Sequence, residues 1–249
     1  MVYGINPALL ERPAYNAAFV SQSLDVDAAI LKTYLPRAPR LRTVILTVDY
    51  TAPGYRLHRS AENWRAKNYL LYTPVEVPHK PAHHFEVLSL PLPISAERIW
   101  EYYVENKDPD LITRNLGFAV SVVQGETEFN NNGRIAAGRH TNYDELIRQE
   151  NEASLVKIAE LCLQANVKLQ LITLPYHEDY MVNREQSQVA LQEEMITNLT
   201  DQFSNVSYDD TAARDQYSEN NFRDSDHLNE RGATVFTTRL NALLRGGRR

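Results

Sequence analysis

The chain has 249 residues, 43% of them hydrophobic and 23% charged, and 26 basic against 32 acidic side chains give a net charge of −6. Such a composition builds a sizeable core, and an acidic chain without a long basic run is not suited to nucleic acid as its main partner. One cysteine, Cys162, excludes an internal disulfide framework and a cysteine-based zinc site, and neither an 18-residue apolar run nor a secretory leader is present.

In chain order, "PAYNAAF" (13–19) is a short apolar run that predicts a strand. "SLDVDAAILKTYL" (23–35) spaces Leu24, Ala28, Leu31 and Leu35 for one helical face, with Ser23 placed to cap it and Asp25 and Asp27 at its positive end. The β-branched "LRTVILTVDY" (41–50) predicts a buried parallel strand. The alternation returns with a helix over 152–166, with Leu155, Ile158, Ala159, Cys162 and Ala165 on one side, then a strand over 167–175 closed by Pro175. A long helix over 184–203, a short strand over 205–210 and a final helix over 230–244 complete the series. Strands alternating with helices predict one α/β domain with an open, mostly parallel sheet and helices on both faces.

The middle, about 58–145, breaks the alternation with Pro74, Pro78, Pro81, Pro91 and Pro93, and reads as an insertion carrying a helix near 95–106. Within it "HKPAHH" has metal-like spacing in His79, His83 and His84, but no carboxylate lies close in sequence and an exposed loop is the expectation. His177, after a strand, fits either a pocket wall or a solvated loop. The glycosylation pattern at Asn198 falls inside a predicted helix and is read as chance. With 9 glycines and no phosphate-cradling motif, no nucleotide is expected, nor any other cofactor or metal.

The chemistry-bearing stretch is "FRDSDHLNERGATVF" (222–236). An Asp three residues before a His places its carboxylate on the imidazole, fixes the tautomer and stabilises the imidazolium. Asp224 and His227 are therefore the candidate catalytic dyad, with His227 as general base. Asp226 and Asn229 also fit ordinary helix caps, and Asp226 is expected to point away from the imidazole. Ser225, between the two, is poorly placed as a nucleophile. Ser21 and Ser23, at a strand-to-helix turn, fit caps better than nucleophiles.

An Asp-x-x-His just before the last helix resembles the final block of the SGNH (GDSL-like) hydrolases. "DHLNERGATVF" is similar to the branch holding D-alanyl-lipoteichoic-acid and alginate O-acetylation proteins. "YGINPALL" (3–10) and "NAAFVSQS" (16–23) share in the resemblance, which covers roughly 1–57 and 150–245. It implies a flavodoxin-like three-layer α/β/α fold, a serine esterase or acyltransferase acting on O-acyl esters of small molecules or glycans, and an extracytoplasmic or membrane-anchored full-length form. Ser21 or Gln22 would stand at the oxyanion-hole position, and Asp49 where the family carries Gly-x-Asn-Asp; Tyr50 follows it and the Asn is absent. The family's nucleophile lies in a Gly-x-Ser block after a first strand, and neither occurs in this sequence. A shortened, inactive hydrolase is the expectation; a non-catalytic relative serving as a binding or scaffold domain is the alternative.

Overall fold

The computed structural model describes residues 2–85, 92–107, 111–113, 115–121, 129, 131–214 and 217–246. Its elements, in chain order, are α1 (Leu24–Tyr34), β1 (Thr43–Thr47), α2 (Ala66–Tyr72), α3 (Leu92–Tyr103), β2 (Leu111–Thr113), β3 (Ala119–Ser121), α4 (Gly133–His140) and α5 (Glu145–Gln164). There follow β4 (Lys168–Ile172), α6 (Glu178–Val182), α7 (Gln186–Gln202), β5 (Val206–Tyr208), α8 (Thr211–Arg214), β6 (Phe222–Asp224), β7 (His227–Leu228) and α9 (Glu230–Gly246). The chain is thus α/β, around a parallel sheet of order β1-β4-β5. Thr43 pairs with Lys168 and Thr47 with Ile172, and Val48 N–H extends the pairing by donating to Ile172 O at 3.0 Å.

The pleat divides the core. Leu46, Val48, Leu169, Leu171 and Val206 pack with Leu24 and Ala28 of α1, Leu155, Ile158, Ala159 and Cys162 of α5, and Ile196 and Leu199 of α7. Ile45 and Ile172 belong to a second cluster, with Phe222, Leu228, and Phe236 and Leu240 of α9. Successive strand residues point to opposite faces, so β1 and β4 send residues into both clusters; Lys168 and Gln170 interrupt the apolar run of β4. Cys162 is fully buried, and burial pushes its thiol up to about 11.

Residues 13–19 do not form the predicted strand. Asn16 supplies the reason. Its amide N–H donates to Leu116 O at 2.8 Å, its Nδ2 to Ile5 O at 3.0 Å, and its Oδ1 accepts from Ala18 N–H at 3.1 Å. Hydrogen bonds of that kind compete with a strand ladder and make the segment a strap, with Tyr15 and Phe19 exposed. Ser23 stands at the N-cap of α1 without capping: its hydroxyl accepts from Leu57 N–H at 3.0 Å and donates to Asp25 at 2.6 Å. The helix predicted from 152 begins at Glu145, where Asp144 accepts from Ile147 N–H at 3.1 Å.

The stretch between β1 and α5 packs on its surroundings at two places. Leu57, Ala66, Tyr69, Val75 and Val77 pack on Val26 of α1. Ala136 and Ala137 of α4 pack on Tyr50 and Tyr180, beyond the C-terminal ends of β1 and β4. Gly133 makes that approach possible, because a Cβ there would meet the Asp179 backbone at 2.5 Å. His83 is buried, contrary to the expected exposed loop: its Nδ1 accepts from Lys80 N–H at 3.2 Å, while His79 and His84 remain exposed. Among the described residues no helix is long and apolar enough to cross a membrane.

Candidate active site

The hairpin β6–β7 carries Asp224 and His227 to the C-terminal side of β4. His177 N–H, just past that strand, donates to Ser225 O at 3.1 Å. Ser225 is fully buried and further locked by the loop before α4: its N–H donates to Asn132 Oδ1 at 3.2 Å, and its hydroxyl accepts from Asn132 N–H at 3.1 Å. A serine so committed orients the turn and cannot serve as nucleophile. Asn229 closes the turn by accepting from Gly232 N–H at 2.9 Å, which caps α9.

Within the turn, His227 Nδ1 lies 2.8 Å from Asp224 Oδ1. Nδ1 paired with a carboxylate carries the proton, which leaves Nε2 as the basic nitrogen. Burial opposes ionisation of Asp224, but its hydrogen bond and charge interaction with His227, joined by Arg223, outweigh that and hold the carboxyl well below its ordinary value. For His227 burial likewise disfavours charge, yet the two carboxylates outweigh it and raise the imidazole above its ordinary value. Arg223 holds the other Asp224 oxygen at 3.0 and 3.2 Å, and Tyr3 stands edge-on to the imidazole at 5.7 Å between ring centres. The His227 side chain is 36% exposed, and among the described residues no hydroxyl is hydrogen-bonded to its Nε2.

Asp226 does not point away or cap the helix. Its side chain is 3% exposed and turned inward, with Oδ2 at 3.5 Å from His227 Nδ1, 3.8 Å from His140 Nε2 and 4.0 Å from Arg139. His140 is the residue that sequence reasoning missed. It sits four positions after Ala136, so both share a face of α4, and the close packing of Ala136 delivers the imidazole to the turn. Tyr180 OH holds its Nδ1 at 2.9 Å, and burial lowers its pKa. The small residues of "GRIAAGRH" were the available signal.

The other candidates are engaged elsewhere. Ser21, at φ +58°, donates its hydroxyl to Glu62. Gln22 accepts from Phe19 N–H at 3.0 Å and Tyr69 OH at 3.2 Å and donates to Asp27 at 2.6 Å, so its side chain knits the entry of α1. Asp49 Oδ1 accepts from Thr51 N–H and Oγ1 at 3.1 and 2.7 Å, an Asx turn after β1. His177 is half-buried against Phe129 and Phe222, neither solvated nor in the dyad. Searches of family models, of curated proteins and of solved structures give no match for this chain.

Proposed function

We propose that the chain is an SGNH-like hydrolase or acyltransferase domain of the kind that acts on O-acyl esters, of small molecules or of acylated glycans, on a three-layer α/β/α frame, inactive without the Gly-x-Ser block that its sequence lacks. The observation that supports this reading is the 2.8 Å contact of His227 Nδ1 with Asp224 Oδ1, beyond the C-terminal end of a parallel strand. In the reaction of such a domain a serine hydroxyl, supplied by the Gly-x-Ser block that this sequence lacks, would give its proton to His227 Nε2 as its oxygen attacks the ester carbonyl. The protonated imidazole returns that proton to the departing alcohol, and the acyl group passes from serine to water or an acceptor hydroxyl. Asp224 stabilises the imidazolium throughout. The absence of a hydroxyl on Nε2 among the described residues favours a second reading, a non-catalytic binding or scaffold domain.

The two readings part in an ester assay. The 249-residue chain on p-nitrophenyl acetate is expected to show no enzyme-like turnover. A version carrying an added strand ending in Gly-x-Ser before Met1 is expected to gain turnover, and His227→Ala to remove it. No gain with the added segment, in a folded protein, supports the scaffold reading. Turnover that survives His227→Ala overturns the assignment of the dyad.

A further inference from the structure

Asp226 is the least comfortable group in the turn. Its carboxylate is almost fully buried, and Oδ1 has no hydrogen-bond partner. Its other oxygen faces two imidazoles at 3.5 and 3.8 Å, too far for hydrogen bonds. Burying a carboxylate oxygen without a donor is costly, and the dyad does not relieve it.

The spacing fits a different occupant. Two ligands each about 2.0–2.2 Å from one ion lie roughly 2.8–3.6 Å apart at octahedral or tetrahedral angles. His227 Nδ1 is 2.8 Å from Asp224 Oδ1 and 3.5 Å from Asp226 Oδ2, and single ligand atoms of Asp224, Asp226 and His227 all lie within 4.8 Å of one another. His140 Nε2, 3.8 Å from Asp226 Oδ2, stands beside this group on a separate helix, outside the set that one ion can span. We propose that Asp224, Asp226 and His227 form a binding site for a divalent transition-metal ion of the zinc type, with His140 packed beside it as a positioning neighbour of Asp226.

The surroundings support this. Tyr180 OH on His140 Nδ1 fixes that ring with Nε2 toward Asp226, and Arg223 braces the far oxygen of Asp224. Such outer hydrogen bonds orient metal ligands. Ser225, pinned by Asn132 and His177, makes the turn a rigid platform. An imidazole nitrogen with two carboxylates suits zinc, cobalt or nickel better than calcium, and the two carboxylate charges neutralise a dication. The ion and the Nδ1 proton compete for one nitrogen, so the metal-bound and dyad forms exclude each other.

The test titrates the chelator-treated, full-length chain with Co2+, followed by visible absorption, and with Zn2+, followed by calorimetry. One ion per chain is expected. Asp226→Asn and His140→Gln, each shown folded by circular dichroism, should each weaken affinity ~10-fold or more. Joint replacement of the exposed His79 and His84 should leave it unchanged. The proposal is overturned by a folded chain that binds neither ion, by affinity unaltered in either single variant, or by binding lost with His79 and His84. Binding is read without any ester, and the ester assay is run in chelator, so either reading can fail without the other.

Discussion

Asp27 shows how one carboxylate sets a pH dependence. It lies in the first turn of α1, where the helix dipole favours its charge, yet burial pushes it up to about 6, against the Gln22 amide that donates to it. A carboxyl whose folded pKa exceeds its unfolded value holds more protons when folded. Stability from this group is therefore full below about pH 4 and is lost as pH rises through about 6. Asp27→Asn retains an acceptor for Gln22 and removes the charge. With the side chain partly exposed, the variant should gain about 1–2 kcal/mol at pH 7 and nothing at pH 4. Urea denaturation at the two pH values measures this, and an equal change at both would refute the assignment.

Between elements, Gln188 does what no apolar contact could. From α7 it donates to Tyr50 O at 2.6 Å and His140 O at 3.0 Å, and accepts from Asn142 N–H at 2.8 Å. One buried amide thereby joins the chain leaving β1 to the C-terminal end of α4. Gln188→Ala strands these backbone groups and should cost about 3 kcal/mol, at roughly 1 kcal/mol per lost bond. Because His140 rides on the same end of α4, the variant should also bind Co2+ more weakly while still folded. Normal stability in Gln188→Ala would show that water replaces the amide. At this scale the sequence was legible wherever the pattern was long: α1, α7, α9, β1 and β4 lie within three residues of their predicted bounds. The segment 13–19 was not, because its apolar run is short and the partners of Asn16 are Ile5 and Leu116.

Across the whole molecule, burial is uneven. α5 buries Ile147, Asn151, Ser154, Leu155, Ile158, Ala159 and Cys162, whereas α3 buries none of its residues and exposes Leu92, Ile99, Trp100 and Tyr103. Opening free energy follows buried contacts, so amide exchange should be slowest in α5 and β4 and faster in α3 by orders of magnitude. Hydrogen exchange read by mass spectrometry tests this map. Equal protection of α3 and α5 would mean that α3 is covered in solution.

The sequence by itself determined the α/β class, the three strands β1, β4 and β5 that form the parallel sheet, though not the absence of a fourth at 13–19, and the Asp-x-x-His turn before the last helix. Those features reside in local periodicity and in residues three apart, which a linear reading sees. Only the tertiary structure decided that Asp226 faces inward, that Ser21, Gln22 and Asp49 spend their polar atoms on neighbouring turns and side chains, and that His140 arrives from α4. His140 and Asp226 are 86 positions apart in the sequence. The force that joins them is the packing of Ala136 and Ala137 on two tyrosines beyond the strand ends, which no local pattern encodes.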